Sequence, residues 1–212
     1  MTAMASKLLF NGPQDAPITI ALAHGAGSPM DSAYMTYFAE GLAAQNFRVA
    51  RFNFPYMAER MKDGKRRPPN TAKILLAAWQ DVITELDKKI GAQNLIIGGK
   101  SMGGRMASMV ADSMGVRGLA CLGYPFHPPG KPETLRTEHL ETLRTPTLIL
   151  QGTRDPFGKQ DEVAGFALSP MIRVHWLEDG DHGFKPRKAS GRSESQNWDE
   201  AIAALAGFAG EL

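Results

Sequence analysis

The sequence predicts an α/β protein, with a mostly parallel sheet of about six to seven strands and helices on both faces. Three observations carry that expectation. Short apolar runs recur at 18–23, 48–52, 95–98, 118–122, 147–150 and 172–176, as parallel strands covered on both sides require. Between them lie stretches with helical spacing, clearest at 71–90, where Leu75, Trp79, Val82, Ile83, Leu86 and Ile90 fall on one face. Finally, 212 residues with 43% hydrophobic content supply ample core for one domain, read as 1–212.

In chain order, residues 7–10 are a candidate edge strand ahead of the run at 18–23. A helix is expected from Ser28-Pro29, with Asp31 completing a capping box, through Phe38 and Leu42. Asn70, after Pro68 and Pro69, is a reasonable N-cap for the helix over 71–90. The helix following the run at 95–98 carries Met102, Met106, Met109 and Val110, a stripe expected to pack on the sheet. Residues 132–143 and 196–211 read as further helices.

Bulk properties exclude several classes. A net charge of +2 is too small to make nucleic acid or a membrane surface the main partner. The single cysteine, Cys121, reads as a buried small hydrophobe. It cannot form an intramolecular disulfide, which suits a reducing, cytoplasmic setting. Residues 1–10 lack the pattern of a signal peptide, and no apolar run approaches membrane-spanning length. The histidines are scattered without ligand spacing, so no metal site is expected. His175 reads as packed within its strand and His139 as exposed on a helix.

The chemistry centres on Gly99-Lys100-Ser101-Met102-Gly103, a G-x-S-x-G between an apolar strand and a helix. Such a turn holds its serine in a strained conformation with the hydroxyl above the sheet. The helix start offers unpaired N–H groups and a positive dipole end near that hydroxyl. Ser101 could instead be an ordinary N-cap. Gly-Gly-Lys-Ser could end a phosphate-binding loop, but that motif needs glycine where Asn94 stands.

Ligands on open α/β sheets bind beyond the carboxyl ends of the strands, so the residues just past each run matter most. The first run is succeeded by His24-Gly25-Ala26-Gly27, where glycine lets backbone N–H groups approach a substrate. Asp155 stands in a turn beyond the run at 147–150. His182 lies in a glycine-bounded loop beyond 172–176, which suits a mobile imidazole. Ser101, Asp155 and His182 thus occur in the order nucleophile, acid, histidine, each past a strand.

On these residues the chain resembles the α/β-hydrolase-fold serine hydrolases, in the dienelactone-hydrolase-like branch that includes testis-expressed hydrolase-like proteins. The resemblance runs from Ile18 to the last helix. It implies Ser101 as nucleophile, His182 as general base and then acid, and Asp155 as its orienter. It implies the Met102 N–H as one oxyanion donor, with Gly25 or Ala26 supplying the second. It further implies a small acyl substrate and no cofactor. Dienelactone hydrolases proper often use cysteine where this chain has serine, so their substrate is not implied. There is no room for the large cap domain that some relatives insert after the sixth strand.

The remaining candidates concern the rim of the site: His24, Lys100, His127, Arg66 and Arg67. Basic residues cluster in 60–67 and in 185–192, both beyond strand ends, and would favour an anionic substrate by steering. A solvated pair of loops is the plainer account. The function expected is cleavage of an ester or related acyl bond. The alternative is a binding or scaffold protein that keeps the fold without the chemistry.

Overall fold

The computed structural model describes residues 7–212; the part of the N-terminal reading that concerns residues 1–6 lies outside the described residues. Seven strands form one sheet: β1 (Leu9–Asn11), β2 (Thr19–Ala23), β3 (Arg48–Phe52), β4 (Leu95–Lys100), β5 (Gly118–Leu122), β6 (Thr147–Gly152) and β7 (Ile172–Leu177), in the order β1-β3-β2-β4-β5-β6-β7. Only the edge strand β1 runs antiparallel to its neighbour; β2 to β7 are parallel. The register sets Ala23 beside Gly99, Lys100 beside Leu122 and Gly152 beside Leu177. Four strand ends that matter for the chemistry therefore finish on one edge of the sheet.

Alternation along β2 shows how the layers form, because successive side chains point to opposite faces. Ile20 and Leu22 face a core built with α1 (Ala33–Ala44) and α7 (Glu194–Glu211), through Phe38, Leu42, Leu205 and Phe208. Ala21 and Ala23 face the opposite core, with Leu75, Trp79, Val82 and Ile83 of α3 (Ala72–Ile90) and Met106 of α4 (Met102–Ser108). Trp79 is fully buried, and its Nε1 donates to the Gly103 carbonyl at 3.1 Å. Losing that ring should cost about 3–5 kcal/mol.

The structure corrects several expected boundaries. The first helix starts at Ala33, not near Ser28, because 29–31 are drawn into other bonds. Met30 N donates to Asn53 Oδ1 and Arg51 donates to the Met30 carbonyl, both at 2.8 Å, and Ser32 becomes the N-cap. Asn70 does not cap α3; its Oδ1 accepts from Tyr56 N at 2.8 Å. There it satisfies the first turn of α2 (Pro55–Asp63), a helix in a stretch expected to be irregular. Its Pro55 at the first position and left-handed Gly64 at the end are ordinary start and stop signals.

Residues 132–143 form no α-helix, only a 3-10 turn over Glu138–Leu140. The segment instead buries Leu140 and Leu143 and is pinned by Arg136 N donating to the Phe126 carbonyl at 2.8 Å. A short α5 (Ala111–Met114) comes after α4, and α6 (Gln160–Val163) precedes β7. The methionine stripe is partial: Met106 is buried, but Met109, past the end of α4, is exposed. Among the described residues no helix is long and apolar enough to cross a membrane.

Candidate active site

Ser101 occupies φ 51°, ψ −114° between β4 and α4, a region a non-glycine residue enters only at a cost of about 1–3 kcal/mol. Its side chain makes no cap hydrogen bond, so the N-cap account does not hold. The flanking glycines are steric requirements. A Cβ on Gly99, at φ 149°, would lie 2.1 Å from the Ala23 carbonyl oxygen, and one on Gly103 would lie 2.5 Å from the same atom. Side chains there would push the end of β2 away from the turn.

The structure brings the three sequence-predicted groups together. His182 Nε2 lies 2.8 Å from Ser101 Oγ, and His182 Nδ1 lies 2.7 Å from Asp155 Oδ2. An ionised carboxylate only accepts, which places the imidazole proton on Nδ1 and leaves Nε2 to accept from the serine hydroxyl. Asp155 is fully buried. Its Oδ1 accepts from Phe157 N at 2.9 Å, and Oδ2 also accepts from Gln151 Nε2 at 3.0 Å.

Burial lowers the His182 pKa below its ordinary 6.5. The Asp155 hydrogen bond opposes that shift and the Lys100 charge adds to it. The net effect keeps the imidazole neutral and able to accept a proton. The Phe157 ring covers it, with centroids 4.2 Å apart.

The histidine loop is not the mobile segment expected. Asn197 Nδ2 donates to the Phe184 carbonyl at 2.7 Å and Trp198 Nε1 to the Gly183 carbonyl at 2.9 Å. Asp181 Oδ1 accepts from Gly183 N and Lys185 N. Lys100 Nζ donates to the His182 carbonyl, tying the loop to the elbow. Burial pulls the Lys100 ammonium down to about 8, against the opposing charges of Asp155 and Asp181.

Ser101 and His182 open into a cleft of about 580 Å³, walled by Gly25–Ser28, Tyr34, Met35, Lys100 and Phe157 among others. The Tyr34 hydroxyl is buried in this wall without a hydrogen-bond partner among the described residues.

Of the rim candidates, Lys100 alone lines the cleft. His24 is fully buried: Nδ1 donates to the Gly25 carbonyl at 2.6 Å, and Nε2 accepts from Phe54 N at 3.1 Å. Burial drops its pKa to about 4. His127 is also buried, with Nδ1 on the Pro128 carbonyl at 2.9 Å. Arg67 pairs with Asp63 at 2.7 Å and Glu59 at 3.0 Å along α2, and Arg66 is exposed away from the cleft. In the second basic stretch Arg187 pairs with Asp179, and Arg192 with Glu200. In the first stretch Arg60, Lys62, Lys65 and Arg66 have no carboxylate within 4 Å among the described residues, whereas most of the second is paired.

Two other histidines depart from expectation. His175 is partly exposed beside Glu200, and His139 is half-buried against Ser108 Oγ at 2.8 Å. Cys121 is buried, and its thiol pKa is raised by that burial.

Sequence reasoning missed Gln151, Tyr34, Phe157, Asn197 and Trp198. Only Gln151, a polar residue closing an apolar run, left a readable signal.

A serine on a left-handed strand-to-helix turn, joined through histidine to aspartate across the strand ends of this sheet, defines an α/β-hydrolase architecture. The chain belongs to the alpha/beta hydrolase domain family, whose model matches residues 16–210. Among solved structures it is similar to dienelactone hydrolase from Anabaena variabilis, with 22% identity, TM-score 0.69, and 96% of this chain and 88% of that chain covered. It is similar to Est1E from Butyrivibrio proteoclasticus with ferulic acid bound, at 12% identity and TM-score 0.72, covering 95% and 94%. A third is an α/β serine hydrolase without lid from Xanthomonas campestris, at 17% identity and TM-score 0.65, covering 95% and 85%. In this chain residues 123–146, between β5 and β6, hold a 3-10 turn over Glu138–Leu140.

Proposed function

We propose that this protein is a serine hydrolase that cleaves an ester, or a related acyl bond such as a thioester, of a small substrate. One observation carries the reading: the continuous hydrogen-bonded path from Ser101 Oγ through His182 to buried Asp155, opening into a cleft. In the proposed reaction Ser101 attacks the acyl carbonyl as His182 Nε2 takes its proton. Asp155 holds the Nδ1–H tautomer and stabilises the imidazolium. His182 then protonates the leaving alcohol or thiol, and water, deprotonated by His182, releases the acid from the acyl-enzyme.

The oxyanion donors proposed are the N–H groups of Met102 and Ala26. Met102 is the first residue of α4, where the N–H has no intrahelical acceptor. For the second donor the argument rests on peptide planarity, since a trans peptide points its C=O and N–H in opposite directions. His24 Nδ1 draws the Gly25 carbonyl to the interior, which turns the Ala26 N–H the opposite way. Tyr56 Oη donates to the next carbonyl, Ala26, at 2.9 Å. Buried His24 is thus assigned a positioning part in place of a rim contact. Dienelactone hydrolase and ferulic-acid-bound Est1E are consistent with small acyl substrates in such a cleft.

The test is labelling of the purified protein with a fluorophosphonate, read by peptide mass. Modification of Ser101, slowed while excess p-nitrophenyl acetate is present, is expected. A folded sample that neither labels nor hydrolyses p-nitrophenyl esters of any acyl length would leave a binding or scaffold protein instead.

A further inference from the structure

Beyond α4 a second cavity, of about 460 Å³, is lined by Arg105, Met109, Leu135, Arg136, Glu138, His139 and Thr142. None of these residues lines the Ser101 cleft. Its lining carries two arginines and a histidine. Arg67, Arg144, Arg154, Arg173, Arg187 and Arg192 each have a carboxylate within 4 Å, whereas Arg48, Arg51, Arg60, Arg66 and Arg117 have none among the described residues. Arg105 and Arg136 also have none among the described residues, although Glu138 stands on the same wall. Arg105 Nε is buried with no hydrogen-bond partner. Burial holds Arg136 below its ordinary pKa, and the neighbouring Arg105 charge adds to that effect. His139 is lowered in the same way, by burial and then by Arg105.

The main chain that carries these two side chains is pinned at both positions. Arg105 N donates to the Ser101 carbonyl at 2.9 Å, within α4. Arg136 N donates to the Phe126 carbonyl at 2.8 Å, and its own carbonyl accepts from Tyr124 Oη at 2.9 Å. Ser108 Oγ donates to the Arg105 carbonyl at 2.7 Å, so its contact with His139 needs the Nε2–H of that ring as donor. Two like charges lining one cavity, partly out of water and with no carboxylate within 4 Å of either, repel each other. An oxyanion between them would remove the repulsion and give the buried Nε an acceptor, and the planar guanidinium fork suits that geometry. Exposed Met109 and Leu135 add an apolar shelf at the same mouth.

We propose that Arg105 and Arg136 form a binding site for a small organic anion, an oxyanion group carried on an apolar body, separate from the Ser101 cleft.

The test titrates the purified protein with phenyl phosphate at low ionic strength, by calorimetry and by the ¹³C-methyl signal of Met109. Saturable 1:1 binding with movement of the Met109 signal is expected, with inorganic phosphate binding several-fold more weakly. Arg136→Gln and Arg105→Gln should each weaken binding about tenfold or more, while the double variant Arg66→Gln, Arg67→Gln should not. If Arg105→Gln does not fold, Arg136→Gln and the Met109 signal still decide. No saturable binding, unchanged affinity in Arg136→Gln, or a static Met109 signal would overturn the site. Equal affinity for inorganic and phenyl phosphate would overturn its apolar part.

Discussion

His24 and His182 both precede a glycine at the carboxyl end of a parallel strand, yet the structure gives them opposite environments. His24 comes directly after β2, so the pleat still governs where its ring goes. It is fully buried, edge-on to Phe54 at 5.2 Å, with both ring nitrogens committed to backbone. His182 is separated from β7 by a turn that lifts it over the elbow. Its Nδ1 goes to a carboxylate, its Nε2 faces a hydroxyl, and its side chain keeps 22% exposure. Position past a strand end therefore does not distinguish them. The group that occupies Nε2 does: a backbone N–H engages His24 permanently, whereas a serine hydroxyl leaves His182 a proton to move.

The largest effects should separate the two rings most sharply. Ser101→Ala and His182→Ala are expected to lower kcat/KM by roughly 10⁴-fold or more with the fold intact, and Asp155→Asn by about 10³–10⁴-fold through loss of the productive tautomer. His24→Ala should do the reverse, costing about 2–4 kcal/mol of stability by opening a cavity and leaving Phe54 N–H unpaired. Its activity per folded molecule should fall much less. Esterase rates set beside urea midpoints check the contrast; a His182 variant that lost more stability than the His24 variant would break it.

Acid provides a second, smaller separation. The His24 pKa in the folded protein, about 4, lies below the ordinary 6.5. Between those values the folded state binds fewer protons than the unfolded chain. The contribution to stability is full above about pH 6.5 and is lost as pH falls toward 4, amounting to about 3 kcal/mol. His24→Ala should flatten the slope of unfolding free energy between pH 7 and 5. In the proposed mechanism His182 governs rate: because its pKa is lowered, the acid limb of kcat/KM should lie below pH 6.5. A limb above 7 would contradict that environment.

Much of this arrangement was legible in the sequence because it depends on order along the chain. Apolar runs located the strands at 48–52 and 118–122 to the residue. G-x-S-x-G placed Ser101, and the sequence of strand ends placed Asp155 and His182. The illegible remainder depends on contacts between distant segments. Nothing local to Asn197 or Trp198 reveals that α7 clamps the histidine loop. Nothing near 132–143 reveals that burial of Leu140 and Leu143 displaces a helix. Arg67 reads as free charge because its pairing with Glu59 and Asp63 requires knowing that α2 exists. His24 reads as a rim residue because its carbonyl partner is its own neighbour, a contact no spacing rule encodes.

Lys100 allows the finest adjustment of the comparison, since it acts on one histidine and not the other. Its Nζ donates to the His182 carbonyl, and its charge lowers the His182 pKa. Two contributions are thus combined, a tether and a field. Lys100→Met removes both: with the cation gone the imidazolium is less opposed, so the His182 pKa should rise. The acid limb of kcat/KM should move to higher pH by about half to one unit. The plateau rate should also fall, by about three- to tenfold, as the loop loosens. Lys100→Arg keeps the charge but not the tether geometry, so it should lower the plateau while leaving the limb near its wild-type position. Neither substitution should alter the pH dependence of unfolding assigned to His24. If both variants moved the limb equally, the field would not be its cause, and the tether alone would set His182.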